Sequence, residues 1–184
     1  MSEIEKEASL VEVATVVSDA LWTAGIAATL SGGSAVSIYT NNEYQSKDLD
    51  FVTAAMLEDL APILNDLGFV HAGGSRLSQF EHPLVEWYVE FPASPLTFGH
   101  LQVDHEDCAV IKSEAGELRI VTPTQCVMDR LAAAFAWNDV QSRDQAVRVA
   151  ANQVLDWDAL RTWFANEGIP DPEFERFQSA SRST

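Results

Sequence analysis

Residues 27–30, a short apolar run stopped by Ser31-Gly32-Gly33, place the tightest constraint on how this chain can fold. The run reads as a strand entering a tight turn. Gly32 and Gly33 allow the sharp backbone turn from which a short helix over residues 34–39 can start. A polar loop over residues 41–45 leads to a second short strand, residues 49–52, flanked by acids. Strand, helix and strand in such close succession predict an α/β (α+β) fold.

The rest of the chain extends this pattern. Leu10, Val13, Val16, Val17, Ala20 and Leu21 recur at helical spacing and predict a helix over residues 9–23, stopped at Gly25. Thr53 is positioned to cap a helix with Met56, Leu60, Ile63, Leu64 and Leu67 on its apolar face. Residues 69–71 restart as a strand, and Gly73-Gly74 reads as a turn. From Ser78 to Phe91, two β-rich segments flank Pro83 and predict a hairpin. Along its second arm Val85, Trp87, Val89 and Phe91 face one way, and Glu86, Tyr88 and Glu90 the other. Pro92 and Pro95 end the arm, and residues 100–104, 109–112 and 118–121 are further short strands. Beyond Pro123 the texture is helical, with an apolar stripe of Val127, Leu131, Ala134 and Phe135. Two more helices are expected near residues 141–154 and 157–166, with Gly168 and Pro170 closing the last and a frayed polar tail after Phe177. The chain thus divides into an α/β part, residues 1–121, and a helical C-terminal part, residues 122–184, packed on it.

Charge narrows the range of functions. Eleven Lys and Arg against 28 Asp and Glu give a net charge of −17. That balance disfavours a general nucleic-acid surface, which needs clustered basic residues, and binding to an anionic membrane. Arg143, Arg148 and Arg161 are the residues from which a local basic patch can still be built. A 47% hydrophobic content argues for a folded core. Cys108 and Cys126 form no disulfide framework and read as small buried residues of a reducing compartment. No membrane span is visible, and the acidic N-terminus lacks the features of a signal peptide, so the expected location is the cytoplasm.

The chemistry is concentrated between Leu30 and Val52 (LSGGSAVSIYTNNEYQSKDLDFV). Glycines at a strand-to-helix turn let free N–H groups approach phosphate oxygens, although an ordinary turn has the same composition. Asp48 and Asp50 alternate along a strand, so both carboxylates leave one face while Leu49 and Phe51 turn to the core. Such a pair either accepts a divalent cation, Mg²⁺ suiting its hard oxygens best, or marks a solvated strand end.

Taken together, the Gly32-Gly33-Ser34 turn and Asp48-Leu49-Asp50-Phe51 resemble the nucleotidyltransferase superfamily with a minimal, polymerase-β-like fold. The closest likeness is to bacterial nucleotidyltransferase-like proteins related to abortive-infection toxins. The resemblance implies a mixed sheet flanked by helices with a C-terminal helical appendage, and Mg²⁺-dependent transfer of an NMP from an NTP, ATP among them, to a hydroxyl of a protein, a small molecule or an RNA end. It implies two Mg²⁺ ions held by Asp48, Asp50 and a third carboxylate from a later strand. Glu90 is the best match for that third group, although most members carry Asp there; Asp104 is the runner-up, with Glu86 a supporting neighbour. Gly32, Gly33 and Ser34 would hold the nucleotide phosphates. Arg130 would touch a phosphate or form an Asp129–Arg130 pair that docks the helices. Met128 stands where the toxin relatives carry a lysine. The rival is a non-catalytic nucleotide-binding protein, or a toxin–antitoxin-type partner protein, that keeps the fold. His100, Asp104, His105, Asp107 and Cys108 match no standard zinc spacing and read as a polar hairpin. Trp137, Trp157 and Trp163 are expected in packing.

Overall fold

The computed structural model describes residues 4–73 and 79–182. Its centre is a mixed sheet whose strands are β1 (Ala28–Ser31), β2 (Asp48–Thr53), β3 (Val70–His71), β4 (Gln79–Glu81), β5 (Tyr88–Glu90), β8 (Ala109–Ser113) and β9 (Gly116–Ile120), in the spatial order β3-β4-β5-β2-β1-β9-β8. A separate pair, β6 (Thr97–Phe98) and β7 (Leu101–Gln102), forms a small ribbon. Strand β2 lies between β1, to which it is antiparallel, and β5, to which it is parallel. Seven helices accompany the strands among the described residues: α1 (Leu10–Thr23), α2 (Gly32–Tyr39), α3 (Leu57–Asp66), α4 (Pro123–Trp137), α5 (Val140–Asn152), α6 (Trp157–Asn166) and α7 (Asp171–Ser181).

Local chemistry explains the element ends. A reciprocal cap starts α1: the Glu12 N–H donates to Ser9 Oγ and the Ser9 N–H to Glu12 Oε2 at 2.7 Å. Its Val13, Ala14, Val17 and Leu21 are completely buried. Thr122 and Gln125 form the same device at the start of α4, where Pro123 fits the first turn. Tyr39 at the end of α2 donates to Val121 O at 2.6 Å, and Gln153 Nε2 donates to Tyr39 O at 2.7 Å. One continuous core therefore runs from the sheet into the C-terminal helices.

Several expectations change. Thr53 caps no helix: it ends β2 opposite Ala28, donates to Ala27 O at 2.7 Å and accepts the Ala55 N–H. With its hydroxyl used in the sheet, α3 starts later, after Met56, which is exposed. The expected hairpin forms as β4 and β5, but Gly74 and Ser78 of the turn and first arm lie outside the described residues. Only Leu101 and Gln102 of the expected 100–104 strand are extended in a sheet, paired with β6, which the two nearby prolines concealed. The tail is not frayed at Phe177, since α7 continues to Ser181 with Pro172 in its first turn. Phe174 and Phe177 are buried against Trp157 and Phe164. Trp163 is buried and its Nε1 donates to Phe98 O at 2.9 Å, whereas Trp137, expected in packing, is 82% exposed. Arg143 and Arg148 face Glu173 and Glu43, and Arg161 lies over the Phe174 ring.

Because α7 completes the aromatic cluster, Phe177→Ala is expected to destabilise the whole fold by roughly 3–5 kcal/mol. Urea unfolding followed by far-UV circular dichroism should show one earlier transition; early loss of α7 alone would contradict this.

Candidate active site

Parallel pairing of β2 with β5 puts Asp48 beside Tyr88, Leu49 beside Val89 and Asp50 beside Glu90. Leu49 and Val89 are completely buried, and the alternation that sends them inward sends the acids to the opposite face. Asp48, Asp50 and Glu90 each offer an oxygen within 4.8 Å of the others. They are the single grouping of this kind among the described residues. Asp104 stands apart, before the short helical turn of residues 105–107. Glu86 precedes β5 and pairs with Lys47 at 3.3 Å.

The start of α2 adjoins this cluster. Gly32 has φ +67°, and a methyl group there would collide with Asp50 Oδ2, so both conformation and close approach require glycine. Gly33 has no such angle; a side chain on it would crowd Ser46 and Tyr44. Ser34 is not brought to the cleft: it is completely buried, and its hydroxyl donates to Ser31 O at 3.1 Å. The hydroxyl that reaches the acids is that of Ser46, which donates to Asp48 Oδ1. Its backbone N–H donates to Ser37 Oγ at 2.9 Å, and Ser37 in turn donates to Gly33 O at 3.2 Å. Ser46 thereby ties Asp48 to α2. Within a polar loop no spacing marks such a residue in advance.

Opposite the acids, α4 presents Asp129 and Arg130. The Gly32 N–H donates to Asp129 Oδ2 at 3.3 Å. Arg130 donates to that same oxygen from Nε at 3.2 Å and from Nη2 at 2.7 Å. The pair thus forms within α4 and closes on α2, and it also lines the cleft. A cavity of ≈ 240 Å³ is lined by Gly32, Asp50, Asp129 and Arg130 together with Pro92 and Leu96.

Repulsion and desolvation are strongest at Asp50. Burial first, then the Asp48 and Glu90 charges, push its pKa from 3.8 up to about 7, with Arg130 pulling weakly the other way. Burial works against the Arg130 charge, but Asp129 outweighs it and keeps the guanidinium protonated. Half-buried carboxylate oxygens this close suit a hard divalent cation such as Mg²⁺.

No family model and no curated protein matches the sequence. Among solved structures, the chain is similar to the solution structure of the antibiotic-resistance factor ANT(2'')-Ia, with 12% identity and a TM-score of 0.48 over 95% of this chain and 91% of that one.

Folded Asp50 holds its proton up to about pH 7, whereas the unfolded chain releases it near the ordinary value of 3.8. At this residue the folded state therefore binds more protons between these values, and without divalent cations the contribution of Asp50 to stability falls as pH rises through this window. Asp50→Asn is expected to flatten that dependence and raise the melting temperature at pH 8 by at least about 3 °C. Differential scanning fluorimetry in EDTA checks it; an unchanged or lower melting temperature contradicts the assignment.

Proposed function

We infer that the chain is a metal-dependent nucleotidyltransferase, moving an NMP from an NTP to a hydroxyl acceptor. The observation that carries this reading is the convergence of Asp48, Asp50 and Glu90 from two neighbouring strands beside the Gly32 amide at the start of α2. Asp48 and Asp50, with Glu90 from β5, are the ligands for divalent cations. Bound Mg²⁺ supplies positive charge for the attacking and leaving oxygens of an in-line displacement.

The chain's own residues do the rest. Ser46 fixes the Asp48 carboxylate, and the buried Leu49 and Phe51 fix the strand that carries both aspartates. Glu90 accepts the proton of the acceptor hydroxyl as the hydroxyl oxygen bonds to the α-phosphorus of the NTP and the α–β phosphoanhydride bond breaks, releasing pyrophosphate. The Gly32 N–H and the Arg130 guanidinium are the donors for the polyphosphate.

The occupation of Gly32 and Arg130 by Asp129 favours a second reading, a nucleotide-binding or partner-binding protein without transfer chemistry. A labelled-NTP transfer assay with Mg²⁺ separates the two. The enzyme reading expects label on a hydroxyl acceptor and a loss of more than about 100-fold in folded Asp48→Asn, Asp50→Asn and Glu90→Gln variants. If none of the four NTPs gives transfer or a Mg²⁺-dependent thermal shift, the enzyme reading fails.

A further inference from the structure

Three N–H donors from two elements converge on one oxygen. Asp129 Oδ2 receives the Gly32 N–H at 3.3 Å, the Arg130 Nε–H at 3.2 Å and an Arg130 Nη2–H at 2.7 Å. A backbone amide at a helix start together with a forked guanidinium is the donor set that a phosphate oxygen accepts. Both side chains are largely withdrawn from water, with 18% of Arg130 and 20% of Asp129 exposed. Gly32, Asp50, Asp129 and Arg130 also line one cavity, so an anion entering it meets the donors that Asp129 now holds.

We propose that Asp129 is an internal stand-in for phosphate: it fills an oxyanion seat and yields Gly32 and Arg130 to an incoming polyphosphate. This rests on the nucleotide reading of the site and adds the means by which that site is gated. Polyphosphate binding is then an exchange of one anion for another, and the apparent affinity is reduced by the fraction of molecules in which Asp129 occupies the seat. Neutralising Asp129 removes the competitor and leaves a buried guanidinium without its counter-charge, a state that favours an external anion. The opposite role, with Asp129 holding Arg130 in place for phosphate, gives the opposite sign on mutation.

The probe is inorganic tripolyphosphate, titrated calorimetrically into the full chain with and without Mg²⁺. Asp129→Asn is expected to bind it at least about tenfold more tightly than the unaltered protein. Arg130→Gln should abolish that gain in the double variant, and Asp158→Asn, an exposed acid on α6, should leave affinity unchanged. Equal or weaker binding by Asp129→Asn overturns the proposal. Should that variant fail to fold, ¹⁵N NMR of the unaltered chain decides. Saturation with tripolyphosphate should shift both the Gly32 amide and the Arg130 Nε resonances; if either stays in place, or if nothing binds, the proposal falls. Tighter binding by Asp129→Asn without NMP transfer by any form overturns the transferase reading and leaves this one standing. Transfer by the unaltered chain with unchanged affinity in Asp129→Asn does the reverse.

Discussion

Mutual repulsion among three carboxylates is the constraint around which the rest of this molecule is arranged. Asp48, Asp50 and Glu90 sit close enough that burial and neighbouring charge together hold a proton on Asp50 near neutrality. A sheet tolerates this only if the opposite face of the same strands is strongly stabilising. Here Leu49, Phe51 and Val89 are completely buried. Apolar burial on one face thus supports charge crowding on the other, in strands of only a few residues. The same balance accounts for the position of β2 inside the sheet, where backbone pairing on both sides fixes its register.

Around this centre the helices act as placement devices. The entry to α2 needs glycine because Asp50 occupies the space a side chain would take. The Ser46–Ser37–Gly33 relay joins the loop before β2 to α2 and so ties Asp48 to the glycine turn. From the other side α4 is capped at Thr122, and Tyr39 anchors the end of α2 to Val121. This anchoring makes the position of Asp129 and Arg130 over Gly32 a property of the whole core.

Much of this was legible in the sequence because it follows from periodicity. Alternation in Asp48-Leu49-Asp50-Phe51 set which side chains face inward, and a similar alternation placed Glu90 opposite Val89. Helical spacing located α1, α5 and α6 to within a few residues. The misses arise where one residue type serves two physical roles. Pro170 reads as the end of α6 yet stands at the N-cap of α7, and Thr53 reads as a cap yet spends its hydroxyl across the sheet. Ser34 belongs to the glycine motif, but α2 begins two residues earlier and turns that hydroxyl into the interior. The bridge from Asp129 to Gly32 joins residues 97 positions apart, a distance over which local patterns carry no information.

The two-residue alternation of β2 has one more consequence. Sliding β2 by one position against β1 and β5 would drive Asp48 and Asp50 into the space now filled by Leu49 and Phe51 and expose both hydrophobes to water. Misregistered sheets therefore strand charge in the interior and are rejected during folding, even without any ligand. The acids gathered for chemistry also proofread the assembly of the sheet that carries them.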